Sequence, residues 1–480
     1  MRTNFRSLLA ASLLAGATPI TFAQQQTTPM PGMDMGDAPS QQSKQQQPKP
    51  APAMDMSGMS GMQMGSMASM NPGAMTMRPP TTLIDEIQQH ATSGTTAEPN
   101  STPTPMGMRT SGAWTQMLHG EAFIVDLQQS GPRGADKFFS TNWIMPMAQR
   151  KFGPGQLTLR TMFSLEPATI SGREYPLLFQ QGETAFGLPI VDGQHPHNFF
   201  MELAAIYDLR LAPKTLLTFY GGPTGDPALG PTAYPHRQSA SENPVGALGH
   251  HQEDSTHIAA DVVTLGLTQG FARVEASGFH GREPDENRWT INQGAIDSWS
   301  TRLTLQPGKN WSGQYSYARI QSPEQLSPSE DQARITASIM YNLPFAHGNW
   351  ASTALWGRTR SIPDNGKENS YLFESTVQFA SRNYLWTRIE NAGRTNELLY
   401  ANQPLPANFT ETPLTHVQAY TFGCDRDLAW LERLFPHTAA ALGAQVTTYG
   451  VGEPLKPAYG DHPVGVDIFL RLRAFGAAKN

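Results

Sequence analysis

Cysteine occurs once in this chain, at Cys424, so no internal disulfide framework staples the fold, and no lipid anchor is expected near the chain start. After the first twenty-three residues no stretch offers the roughly eighteen uninterrupted apolar residues that a membrane helix needs, which excludes helical spanning. An excess of basic charge is also missing. The formal net charge is -6 and the pI is near 6.1, so the chain lacks the electrostatic footprint of a nucleic-acid partner. No G-x-S-x-G elbow, H-E-x-x-H helix or glycine-rich phosphate loop occurs as a credible unit, which argues against an enzyme. From Gln24 to Gln89 there is no histidine, and aromatic and β-branched residues are almost absent as far as residue 110.

The first residues have the order of a secretory signal. Arg2 and Arg6 give a positive start, Leu8 to Ala17 an apolar core, and Thr21-Phe22-Ala23 a small-residue cleavage site. Residues 1–23 are therefore expected to be removed, with the mature chain starting near Gln24.

Residues 24–110 form a leader of Gln, Pro, Ser, Thr and Gly that cannot build a core and is expected to be disordered, with a short helix at Leu83 to His90. Within it, Met30, Met33, Met35, Met54, Met56, Met59, Met62, Met64, Met67, Met70, Met75 and Met77 recur as MxM or MxxM, followed by Met106 and Met108. Thioether sulfur is a soft neutral ligand that selects Cu(I) or Ag(I) over harder divalent ions. Such spacing lets two or three sulfurs close on one ion. Exposed methionine also oxidises readily, which weighs against a purely incidental flexible leader.

From Met117 to Phe475 the pattern changes to short alternating segments. In the last of them, Val464, Val466, Ile468, Leu470 and Leu472 fall on one face and Gly465, Asp467, Phe469, Arg471 and Arg473 on the other, because successive side chains of a strand point to opposite sides. Sixteen such segments can be counted, or fourteen if one weak pair is misread. Their connections alternate between brief turns, such as KFGPG, LAP, TQG and QPGKN, and longer polar loops. That asymmetry predicts an all-β fold: a closed antiparallel transmembrane β-barrel over residues 111–480, with short turns in the periplasm and long loops outside. Trp299, Tyr341, Tyr371 and Phe379 near strand ends suit the aromatic girdles of such a wall. Between Asp425 and His437, on the short-turn side, the apolar DLAWLERLF stretch suggests a small helix.

A methionine-rich leader (MDMSGMSGMQMGSM) ahead of a β-barrel resembles the outer-membrane copper-resistance protein B family. The resemblance lies in architecture, covers the leader best, and lacks the histidines that the family often mixes with its methionines. It implies a barrel in the outer membrane of a Gram-negative type, a leader on the periplasmic side, copper as the metal, and a periplasmic copper donor as partner.

Thirteen histidines are present, seven of them between positions 195 and 280. His195 and His197 form an HPH unit beside Asp192, while His236, His250, His251 and His257 occur in and after a second long loop with Glu253 and Asp254. If neighbouring hairpins bring His195, His197, His250, His251 and His257 together, imidazole and carboxylate would suit a divalent ion such as Cu(II), Zn or Ni. The alternative is a hydrogen-bonded cap. His119, His280, His347, His416, His437 and His462 look isolated. Charges of both signs, including Arg160, Glu166, Glu202, Glu275, Arg302, Glu374, Arg388 and Arg471, mostly fall on polar faces and would brace the lumen as ion pairs. The sequence thus carries two functional readings: an outer-membrane barrel that binds copper in tolerance or efflux, and a general porin or substrate channel with an incidental leader.

Overall fold

The structure, a computed structural model, describes residues 79–480 apart from 255–258, 363–364, 396–413, 435–436 and 476–480. Met30 to Met77 and His257 therefore lie outside the described residues.

Among the described residues nineteen strands follow the helix α1 (Leu83–Gln89). They are β1 (Gly107–Ser111), β2 (Trp114–Gln129), β3 (Lys137–Phe152), β4 (Gly155–Phe163), β5 (Tyr175–Ala185), β6 (Leu188–Gln194), β7 (Phe200–Ala212), β8 (Thr215–Gly225), β9 (Ala259–Gln269) and β10 (Ala272–His280). The chain continues through β11 (Ser298–Gly308), β12 (Trp311–Ile320), β13 (Asp331–Phe345), β14 (Gly348–Ile362), β15 (Lys367–Phe379), β16 (Asn383–Thr395), β17 (Leu414–Asp427), β18 (Thr438–Gly450) and β19 (Val464–Ala474). Sixteen of these, β2 to β4 and β7 to β19, pair antiparallel in sequence order, and β19 returns to β2 through a register running from Gly465↔Gln129 to Ala474↔Gly120. The wall is closed. Each of the sixteen segments expected from alternation lies on one of these strands, and closure leaves no edge for lipid to strip of hydrogen bonds. The hairpin β5–β6, inside the loop between β4 and β7, and β1, which pairs with β2, were not legible as separate strands. A four-residue helix at Leu431–Leu434 sits in the expected DLAWLERLF stretch.

Alternation is inverted relative to a water-soluble protein. On β11, Leu303 is 39 % exposed while its neighbour Arg302 is 2 % exposed. Apolar residues face out and charged ones face in, the arrangement lipid requires of a barrel around a polar lumen. Aromatic pairs stand on the outer face near strand ends, with Trp311 and Tyr341 rings 4.5 Å apart and Trp299 and Tyr317 5.5 Å apart. Among the described residues no helix is long and apolar enough to cross a membrane.

The expected leader ran to residue 110, but from residue 79 the chain is packed within the barrel. α1 opens with a reciprocal cap in which Asp85 N–H donates to Thr82 Oγ1 (3.2 Å) and Thr82 N–H to Asp85 Oδ2 (3.0 Å). It buries Leu83, Ile84 and Ile87 against Leu216 of β8. The irregular backbone that follows finds its hydrogen bonds on the inner wall. Arg160 donates to the His90 carbonyl (2.9 Å), Arg302 to Thr95 Oγ1 (2.9 Å), Ser312 to the Ala97 carbonyl (2.8 Å) and Asn342 to the Ser101 carbonyl (2.7 Å). These partners come from β4, β11, β12 and β13, so residues 79–103 form an internal plug. Composition read this stretch as disordered because it has little apolar surface of its own, and its order is supplied by polar side chains remote in sequence.

Candidate metal centre

Two long connections fold inward at the end of the barrel opposite the tight turns. Residues 226–254, between β8 and β9, reach across the lumen. Ala228 N–H donates to Ser277 Oγ on β10 (2.7 Å), Arg237 pairs with Glu374 on β15 (2.6 Å), and Glu242 pairs with Arg471 on β19 (2.8 Å). The expected ion pairs of the wall are present: Arg160 with Glu202 at 2.8 Å, Arg302 with Glu275 at 2.9 Å, and Arg388 with Glu374 at 3.3 Å. Each charge sits where its removal would strand a buried partner. Glu166 differs from the expectation. It lies off the wall in the single-turn helix α2 (Glu166–Thr169).

Inside the cap, three histidines converge. His250 and His251 are consecutive residues of the short helix α3 (His250–Glu253), and His195 follows the end of β6. One ring nitrogen from each can be chosen so that all three lie within 4.8 Å of one another. The rings of His250 and His251 are 4.4 Å apart between centroids, and those of His195 and His251 5.4 Å. Supporting groups orient them. His250 Nδ1 lies 3.2 Å from Asp254 Oδ1, and its Nε2 accepts from the Gln194 side-chain N–H at 3.3 Å, a hydrogen bond that an ion at Nε2 would displace. His195 has acceptors at both nitrogens, Pro196 O 3.0 Å from Nδ1 and Glu183 Oε1 2.9 Å from Nε2. A neutral imidazole can donate only once. One of these contacts is then a hydrogen bond and the other sets a lone pair against an oxygen, a repulsion that a proton or a metal ion at that nitrogen would relieve.

Burial favours the uncharged form of two of the rings, His195 and His251. Burial lowers the His251 pKa well below the usual histidine range, helped by His250 and His195 beside it, and burial also lowers that of His195 against the pull of Glu183. Burial alone would raise the Glu183 carboxyl, but the Arg288 guanidinium it pairs with overrides this and holds it well below the usual carboxylate range. The imidazoles of His195, His250 and His251, with the Glu183 carboxylate beside His195, are residues that could hold a borderline divalent ion, Cu(II), Zn or Ni.

Of the expected set, the structure brings His195, His250 and His251 together. His197 goes elsewhere. Its backbone N–H donates to Glu166 Oε2 at 2.7 Å and its Nδ1 lies 2.9 Å from the same oxygen, with Tyr234 between it and His250. An HPH unit shares a side only in extended backbone, and residues 195–198 are not a strand. Glu183 and Gln194 had no sequence signal, because loop geometry joins residues of unrelated spacing. His119, expected to be isolated, instead lies beside His236 and Trp143 on the inner wall.

A closed wall of sixteen antiparallel strands, apolar outside and charged inside, defines an outer-membrane β-barrel protein. No protein-family model and no curated protein matches the chain. Among solved structures it is similar to an anion-selective porin from Comamonas acidovorans (9 % identity, TM-score 0.46, covering 75 % of this chain and 99 % of that one). It is also similar to Salmonella typhi OmpF in complex with daunomycin (10 %, 0.45, 76 % and 99 %) and to OmpT, an outer membrane protein of Vibrio cholerae (8 %, 0.43, 76 % and 99 %).

Proposed function

We propose that this protein is an outer-membrane channel of the porin kind, narrowed by its own chain and specialised for transition-metal ions. The observation that carries the proposal is the convergence of His195, His250 and His251, with ring nitrogens within 4.8 Å, under the loops at one end of the barrel. The broader reading, a channel for general solutes, draws support from the strand count and the polar lining, since barrels of sixteen strands enclose enough space for water. What favours a small cargo is that residues 79–103 and 226–254 share that space.

The leader belongs to the same proposal. Met30 to Met77 would hold several Cu(I) or Ag(I) ions through thioether sulfur on the periplasmic side, exchanging them with a periplasmic copper donor. Thioethers have no proton to lose, so this uptake would persist on acidification. Copper tolerance or efflux is the physiological setting this implies.

The test is flux through the full chain in proteoliposomes. Entry of Cu(II) or Ni(II), read by an enclosed metallochromic dye, without swelling in small neutral sugars, is the expected result. Rapid sugar swelling with metal entry no faster than that of magnesium would leave a general porin.

A further inference from the structure

A second cluster lies on the inner wall, apart from the three histidines of the cap. Of the eight methionines among the described residues, seven are gathered there: Met106, Met117, Met145, Met147, Met162 and Met201 are at most 4 % exposed, and Met108 packs against them. Strand register assembles them. Met117 pairs with Met108 on one side and Met147 on the other, His119 pairs with Met145, and Met162 and Met201 meet where β4 and β7 pass through a β-bulge. Directly paired side chains stand roughly 5 Å apart, so the thioethers form a continuous strip.

Apolar packing explains such a strip poorly. The other buried clusters of this barrel are built from Leu, Ile, Val, Phe, Tyr, Trp and Ala, with no methionine, whereas this one contains no Leu, Ile or Val. Two imidazoles enter it. His236, from the inserted loop, has Nε2 3.1 Å from Met162 Sδ, and the His119 and His236 rings are 5.7 Å apart. His119 Nε2 is buried and has no hydrogen-bond partner among the described residues. A buried imidazole nitrogen without a protein partner is open to a water or an ion, and its place beside sulfur favours a soft ion.

We infer that this strip is a binding site for a soft monovalent cation, Cu(I) or Ag(I), held by Met162, Met145 and Met201 with the imidazoles of His119 and His236. Thioether and neutral imidazole together suit such an ion, and no carboxylate belongs to the set. The site is distinct from the cap histidines, which suit divalent ions, and from the leader. It therefore goes beyond the proposed function and does not need it.

The experiment is methyl NMR of the full chain in detergent, with [13C-methyl]methionine throughout and resonances assigned by single Met→Leu substitutions, which nearly conserve volume. On titration with Ag(I), the Met145, Met162 and Met201 methyls are expected to shift saturably. The shifts should be lost in H119L/H236L and unchanged in H250A/H251A. The inference is overturned if these three methyls keep their metal-free positions under excess Ag(I) while leader methyls move, or if H119L/H236L shifts as the parent does. Failure of the cap site would show separately, in Cu(II) binding.

Discussion

At the scale of single residues, the cap histidines depend on a glycine. Gly182 has φ +132°, and a Cβ built there would lie 2.4 Å from His251 Nδ1. Gly182→Ala would therefore have to push the imidazole aside or shift the hairpin, since the three atoms nearest the added Cβ all belong to His251. The expected outcome is a loss of divalent-metal affinity of about tenfold or more, ~1.4 kcal/mol, with little change in the melting temperature of the barrel, read by calorimetric titration and thermal unfolding. Affinity equal to the parent would mean His251 is not a ligand. The residue scale is also where the sequence was least readable. His195, His250 and His251 could be nominated because they cluster along the chain, but Glu183 could not, and His197 was nominated on its spacing although its ring turns to Glu166. Met117, Met145, Met162 and His236 are spread over more than a hundred positions, and only strand register and an inserted loop unite them.

At the scale of elements, the plug should respond to pH. Burial pushes the Glu86 carboxyl up to about 8, with Glu98 nearby adding to the rise, and burial pushes Glu98 up to about 7. Both groups hold protons more tightly folded than unfolded. Their contribution is thus fully present below the unfolded carboxylate range near pH 4.5 and is lost as pH rises through 7 to 8. Hydrogen exchange of residues 82–100, corrected for the intrinsic pH dependence of exchange, should show the plug well protected at pH 6 and markedly less so at pH 9. E86Q/E98Q should flatten that difference. Equal protection at both pH values in the parent would contradict the assignment of these carboxyls as buried and protonated. The plug was invisible to composition for the reason that makes it pH-sensitive: it is polar chain ordered by buried polar contacts, so neither periodicity nor apolar content marks it. The strands were legible because an apolar outer face and a charged inner one impose two-residue alternation over most of their length, as on β9 and β11.

At the scale of the molecule, the outer face must meet lipid. Leu303→Arg, in the middle of β11 and pointing away from the lumen, should destabilise the barrel by about 2–4 kcal/mol if it lies near the bilayer midplane, measured by denaturant unfolding in lipid vesicles. A neutral effect would mean this face is covered by protein instead of lipid.

The central claim is that such a barrel carries a transition-metal site under its loops, and electron paramagnetic resonance of the full chain with one equivalent of Cu(II) tests it most directly. Leader thioethers are soft donors and compete poorly for this ion. The account predicts one Cu(II) per chain with hyperfine structure from imidazole nitrogens, abolished in H250A/H251A. A spectrum of loosely bound copper, or one that the double substitution leaves unchanged, would contradict it.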